Sequence, residues 1–157
     1  MFVADCLQVN KQGHLCMEEL DVLELAAKYG TPLYVMSETQ IRKNCRMYQD
    51  SLKRFYSGNG LALYASKAFC CKEICRIAAQ EGMGLDVVSG GELYTAVSAG
   101  FSPEKIYFHG NNKTAPELVA ALEQKVGTIV VDNLEELEML DRLAGAQNIH
   151  QQIMLRI

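Results

Sequence analysis

Five polar residues close five successive apolar runs in this chain: Lys67, Asp86, His109, Asp132 and Arg156. Together they offer an amine, two carboxylates, an imidazole and a guanidinium. Lys67 carries the most chemical information. The run Gly60-Leu61-Ala62-Leu63-Tyr64-Ala65-Ser66 is apolar up to Lys67, and a helix-like pattern takes over from Cys70. A lysine in apolar surroundings has its pKa drawn toward neutrality, because burial disfavours the charged ammonium. A neutral amine can attack an aldehyde, so a lysine placed this way suits Schiff-base chemistry. On position alone, a solvated lysine capping a strand is the commoner outcome.

The runs that carry these residues repeat. Strand-like segments are expected at 61–66, 84–88, 105–109, 128–132 and 153–157, stepping by roughly 21 to 25 residues. Each gap holds one amphipathic helix. Leu93, Ala96 and Val97 mark one apolar face, Leu118, Ala121 and Leu122 the next, and Leu137, Leu140 and Ala144 the last. Ser89 with Glu92 and Thr114 with Glu117 have the spacing of capping boxes. Apolar strands as continuous as Thr128-Ile129-Val130-Val131 belong to a parallel sheet covered on both faces. An open doubly wound sheet and a closed eight-stranded barrel both accept this pattern. The open sheet normally places a GxGxxG fingerprint after its first strand, and none is present there. In a barrel the polar strand ends converge on one mouth, where active sites form. The expected fold class is therefore α/β, the first part of a (β/α)8 TIM-type barrel.

Upstream, Leu7-Gln8-Val9, the turn residues Asn10 to Gly13 and His14-Leu15-Cys16 predict a hairpin. A helix is expected next, with Leu20, Leu23 and Ala27 on one face and Glu18 and Glu19 in its first turn, ended by Gly30. A short strand is expected at 32–36. Ser37 with Gln40 then has capping-box spacing ahead of a helix whose stripe is Ile41, Cys45, Tyr48, Leu52 and Phe55.

Bulk properties narrow the class. A chain of 157 residues, 49% hydrophobic, can bury a real core, and its formal charge of -4 leaves no basic footprint for nucleic acid. No apolar run approaches the ~18 residues of a membrane-spanning helix, and residues 1–6 lack the basic and apolar stretches of a signal peptide. A cytoplasmic protein with no membrane partner is expected. Of the six cysteines, Cys70, Cys71 and Cys75 cluster after Lys67, but no CxxC pair or neighbouring histidine completes a metal site, so packed, reduced thiols and no metal are expected.

At Tyr64-Ala65-Ser66-Lys67-Ala68 the chain resembles the fold-type III pyridoxal-phosphate decarboxylases of basic and diamino acids. Three further segments agree in order and spacing: Gly84-Leu85-Asp86-Val87-Val88-Ser89-Gly90-Gly91-Glu92-Leu93, Phe108-His109-Gly110-Asn111-Asn112-Lys113 and Leu155-Arg156-Ile157. The serine before the lysine and the runs at 87–92 and 109–113 are most similar to the branch acting on diaminopimelate.

The resemblance implies that Lys67 holds pyridoxal 5'-phosphate covalently and is the catalytic lysine. It implies that Ala65, Asp86 and Arg156 line the cofactor pocket. Glu92 matches an acidic residue near the site, although its capping spacing offers a structural role. His109 either reaches the site or supports a group that does. Gly90-Gly91 reads as close helix packing, since the family's phosphate loop comes later. The implied reaction is decarboxylation of meso-2,6-diaminopimelate, a small-molecule amino acid, to L-lysine and carbon dioxide, by a homodimer. Decarboxylases of ornithine, arginine or carboxynorspermidine with the same fold remain open, as does a non-catalytic pyridoxal-phosphate barrel. Residues 1–36 would belong to a second, β-rich domain and 37–157 to an incomplete cofactor-binding barrel, inactive alone. The ring-stacking histidine, phosphate loop and acidic partner of the pyridine nitrogen would all lie beyond Ile157.

Overall fold

The computed structural model describes residues 5–157; residues 1–4, the start of the segment read as lacking a leader, lie outside them. Packing divides the chain into two compact units, one up to Met47 and one of Tyr48–Ile157.

In the first unit, β1 (Leu7–Val9), β2 (Leu15–Met17) and β3 (Leu20–Asp21) form an antiparallel sheet in that order. Asn10 Oδ1 accepts from the backbone N–H groups of Gln12 and His14 (3.0 and 2.9 Å), which closes the expected hairpin. The following helix, α1 (Val22–Tyr29), begins later than the sequence pattern predicts. Asp21 is its N-cap, accepting from Leu23 N at 2.8 Å, and the same carboxylate takes Asn10 Nδ2 (2.9 Å) and His14 Nδ1 (2.7 Å). Those bonds hold Asp21 at the end of β3, so Leu20 lies in a strand, and Glu18 and Glu19 precede the helix. The strand expected at 32–36 is absent. Pro32 has no N–H to give a ladder, and Tyr34 is 98% exposed with no neighbouring strand among the described residues.

Helix α2 (Glu38–Phe55) runs through the unit boundary. Ser37 Oγ accepts from Gln40 N at 3.0 Å, but the Gln40 amide donates to Asn44, so only half of the expected capping box forms. Of its apolar stripe only Cys45 is buried, and Tyr48 and Phe55 are exposed.

The second unit carries five strands, β4 (Leu63–Ala65), β5 (Gly84–Val87), β6 (Ile106–Phe108), β7 (Thr128–Val131) and β8 (Ile153–Leu155). They pair in parallel in the order of the chain. Between them run α3 (Lys72–Gln80), α4 (Gly90–Ser98), α5 (Ala115–Glu123) and α6 (Leu134–Ala146). A doubly wound sheet reverses its strand order at a switch point. This sheet never reverses, and right-handed crossovers then keep every helix on one side, the winding of a (β/α)8 barrel. Leu85, Val87, Ile106, Phe108 and Ile129 are fully buried, together with Leu118, Ala121, Leu122 and Ala96 from the expected helix faces.

Candidate active site

Register decides which side chains share the sheet face away from the helices. Ala65 pairs with Asp86, Asp86 with Tyr107, Tyr107 with Thr128, and Val130 with Met154. Paired residues share a face, as do residues two apart along one strand. The ladder runs one residue past β6 and β8, with His109 N donating to Val87 O (2.8 Å) and Arg156 N to Val131 O (3.0 Å). Ala65, Asp86, His109 and Arg156 therefore lie on one face, toward the C-terminal ends of their strands, opposite the packed helices.

Lys67 departs from expectation. It sits in a short 3-10 turn, Ser66–Ala68, rather than at the end of the strand itself, and it is exposed rather than buried. Its amine has no hydrogen-bond or ion-pair partner among the described residues. The residue before it is the buried one. Ser66 is fully buried, and its hydroxyl lies 2.8 Å from Asp86 O and 2.5 Å from Glu92 Oε2.

Glu92 does not complete the capping box that its spacing predicts. Ser89 Oγ caps α4 by accepting from Glu92 N at 3.3 Å, but the carboxylate turns away and accepts from Val88 N at 2.8 Å. It thereby ties the turn carrying Lys67 to the loop after β5. Thr114 and Glu117 do form a full box, and Glu117 Oε1 also accepts from Gly90 N at 2.8 Å. A Cβ on Gly90 would stand 3.0 Å from Glu117 Cγ, so the glycine serves close contact between α4 and the cap of α5, as expected.

Asp86 and His109 meet directly, His109 Nδ1 lying 2.5 Å from Asp86 Oδ1. Their side chains are 18% and 36% exposed, open enough for a ligand to reach. Gly110, at φ +107, turns the chain across the end of β5, and any Cβ there would stand 2.8 Å from Val88 O. Arg156 reaches Asp132 (2.7 Å) rather than any other predicted site residue, and it is 62% exposed.

One buried interaction has no counterpart in the sequence reading. Lys113 Nζ donates to Gly110 O (2.6 Å) and Val130 O (2.8 Å), and lies 2.9 Å from Glu136 Oε1 in the first turn of α6. The two side chains are 1% and 5% exposed. The pair braces the loop that carries His109. Its only sequence signal is an acidic residue at a helix start, common on any surface helix. Near Lys67, burial pushes the Cys75 thiol up to about 12 and raises Cys70, so neither offers a thiolate at neutral pH.

The arrangement fits a pyridoxal group at its aldehyde end. An unpaired primary amine stands at the rim, and a carboxylate, an imidazole and a guanidinium share the neighbouring open face. Among the described residues this face shows no matching cradle for a phosphate: Gly90 N is taken by Glu117 and Arg156 by Asp132.

Comparison with known proteins gives the same direction. Residues 38–157 match the family model described as "Pyridoxal-dependent decarboxylase, pyridoxal binding domain". The whole chain is 46% identical to proteins named diaminopimelate decarboxylase from Bacillus methanolicus and Bacillus subtilis, in each case over 36% of the relative's length. A solved diaminopimelate decarboxylase from M. jannaschii, in co-complex with L-lysine, superposes with a TM-score of 0.90 at 37% identity, over 99% of this chain and 36% of that one. The chain thus spans about a third of the length of the relatives it matches.

Proposed function

From the premise that this chain belongs to the pyridoxal-dependent decarboxylase family through its pyridoxal-binding domain, we propose that it is the cofactor-bearing part of a diaminopimelate decarboxylase. The reaction is removal of one carboxylate from meso-2,6-diaminopimelate, giving L-lysine and carbon dioxide. The observation that carries this reading is the partnerless Lys67 amine at the C-terminal rim of the parallel sheet, beside a face holding Asp86 and His109. The relatives' shared name supports the choice of substrate.

In this reading Lys67 binds the cofactor through its amine, and Ala65 leaves room above the sheet where a larger side chain would crowd the ring. Asp86 and His109 supply the polar side of the pocket, and Arg156 its far rim. Glu92 acts through Ser66 and the Val88 amide, fixing the turn from which Lys67 projects. Pyridoxal phosphate, when bound, supplies the electron sink for the pair left by the departing carboxylate. The protein's task is orientation, holding the scissile bond perpendicular to the ring. The phosphate and the distal end of the substrate are assigned to parts of the full-length protein beyond residue 157.

The same proposal assigns 1–36 to a β-rich domain and 37–157 to the barrel, in a cytoplasmic homodimer. Six free thiols suit a reducing compartment, and no helix among the described residues is long and apolar enough to cross a membrane. Borohydride reduction of the full-length protein with pyridoxal phosphate, followed by peptide mapping, is expected to place the pyridoxyl group on Lys67. Carbon dioxide release is expected to be fastest from meso-diaminopimelate among that substrate, lysine, ornithine and arginine. A label on Lys72 or Lys113, or faster turnover of ornithine, overturns the reading.

A further inference from the structure

We infer that His109, oriented by Asp86, is the group that takes the proton from the Lys67 ammonium before that amine bonds to the cofactor aldehyde. This inference rests on the reading of Lys67 given above and adds a residue and a step to it. Asp86 Oδ1 lies 2.5 Å from His109 Nδ1. A carboxylate can only accept, so Nδ1 carries the hydrogen and Nε2 of the neutral ring carries the lone pair. Nε2 has no partner among the described residues, and the ring is 36% exposed on the open face.

The backbone holds this orientation from both sides. His109 N donates to Val87 O, Gly110 folds the following chain over Val88 O, and Lys113 Nζ clamps Gly110 O from beneath. Lys67 follows β4 by two residues and His109 follows β6 by one, and these strands are the two neighbours of β5. Strands two apart in a sheet are separated by about 10 Å, a gap that a lysine and an imidazole reaching toward each other over Asp86 can close.

In the step itself, an N–H bond at Lys67 Nζ breaks and leaves its electron pair on nitrogen, while a new N–H bond forms at His109 Nε2. The imidazolium so made stands beside the Asp86 carboxylate, which stabilises it. The aldehyde oxygen needs two hydrogens to leave as water: one comes from Nζ, whose electron pair has bonded to the aldehyde carbon, and the other returns from Nε2 as the C–O bond breaks. The other charged groups on this face and its rim are Glu92, which is engaged by Ser66 and Val88, and Arg156, which is paired with Asp132. Lys113 is sealed beneath the loop against Glu136.

The test uses full-length apoprotein and pyridoxal 5'-phosphate, and reads the rate of cofactor capture from the rise in visible absorbance across pH. His109→Gln and His109→Ala are expected to slow capture by about 100-fold and to alter its pH dependence. Added imidazole should restore the rate of His109→Ala in proportion to its free base, which a merely structural histidine would not allow. Borohydride mapping is run alongside. A label on Lys67 with wild-type capture and pH profile in both variants overturns this inference and leaves the proposed function standing. Slowing that is equal at every pH and deaf to imidazole overturns it as well. A label elsewhere than Lys67 overturns both.

Discussion

Ser66 Oγ and Glu92 Oε2 lie 2.5 Å apart, joining the turn after β4 to helix α4 one residue before Lys67. The same carboxylate oxygen holds Val88 N, and the same hydroxyl reaches Asp86 O. Removing the carboxylate leaves the part-buried backbone N–H of Val88 short of an acceptor, while the Ser66 hydroxyl keeps only Asp86 O. Glu92→Ala should therefore destabilise the full-length protein by about 2 kcal/mol. Ser66→Ala should cost less, and the double variant should show a coupling of about 1 kcal/mol in denaturant unfolding. Strict additivity would mean that the contact does not bind turn to helix.

Lys67→Ala should abolish pyridoxyl incorporation and turnover, because no second amine stands at this rim among the described residues. Cys71→Ser, four residues on, should keep most of both. Parallel labelling and carbon dioxide assays read the contrast, and equal losses would point to folding damage rather than chemistry.

Glu117 gives a signed pH dependence. The N–H groups of Thr114 and then Gly90 hold its carboxyl below the ordinary glutamate value. A depressed folded-state value means that its stabilisation is fully present above the unfolded-state pKa and is lost as pH falls through the folded one. Glu117→Gln should lower stability at neutral pH by about 1 kcal/mol. The deficit should shrink on acidification, as seen by comparing denaturant midpoints at neutral and acid pH. A deficit that grew toward acid would contradict the assignment.

The Lys113–Glu136 pair is buried on both sides. Lys113→Met or Glu136→Leu alone strands a charge and should cost about 3–5 kcal/mol, whereas the double replacement should recover most of that loss. Thermal or denaturant unfolding of the three variants decides it. Single variants near wild type would show that water reaches the pair.

The sequence made the repeating strand–helix unit legible because burial on both faces leaves continuous apolar strands such as Thr128 to Val131, and one-sided burial leaves stripes such as Leu118, Ala121 and Leu122. Family resemblance marked Lys67, Asp86 and His109 individually. It did not show that Asp86 and His109 touch, since a contact between strands depends on register, which no local pattern encodes. Glu92 was misread for a related reason. Capping spacing is local, whereas the donors that win its carboxylate, Val88 N and Ser66 Oγ, come from the end of β5 and the turn after β4. The apolar flanks of Lys67 left open both a lysine drawn toward neutrality by burial and a solvated one capping a strand, and the side chain is exposed. At 32–36 the apolar residues suggested a strand, and only pairing could have made one.

The parity of the five strands also bears on how this part of the protein can change in length. Ala65, Asp86, His109 and Arg156 share one face only because every strand keeps its phase with the next. One residue inserted between Gly84 and Asp86 would turn Asp86 toward the helices and bring Leu85 or the inserted residue to its place on the open face, taking the carboxylate away from His109. The same insertion in the loop after Glu123 would leave the face unaltered. Insertions and deletions should therefore be tolerated between the elements and excluded within them.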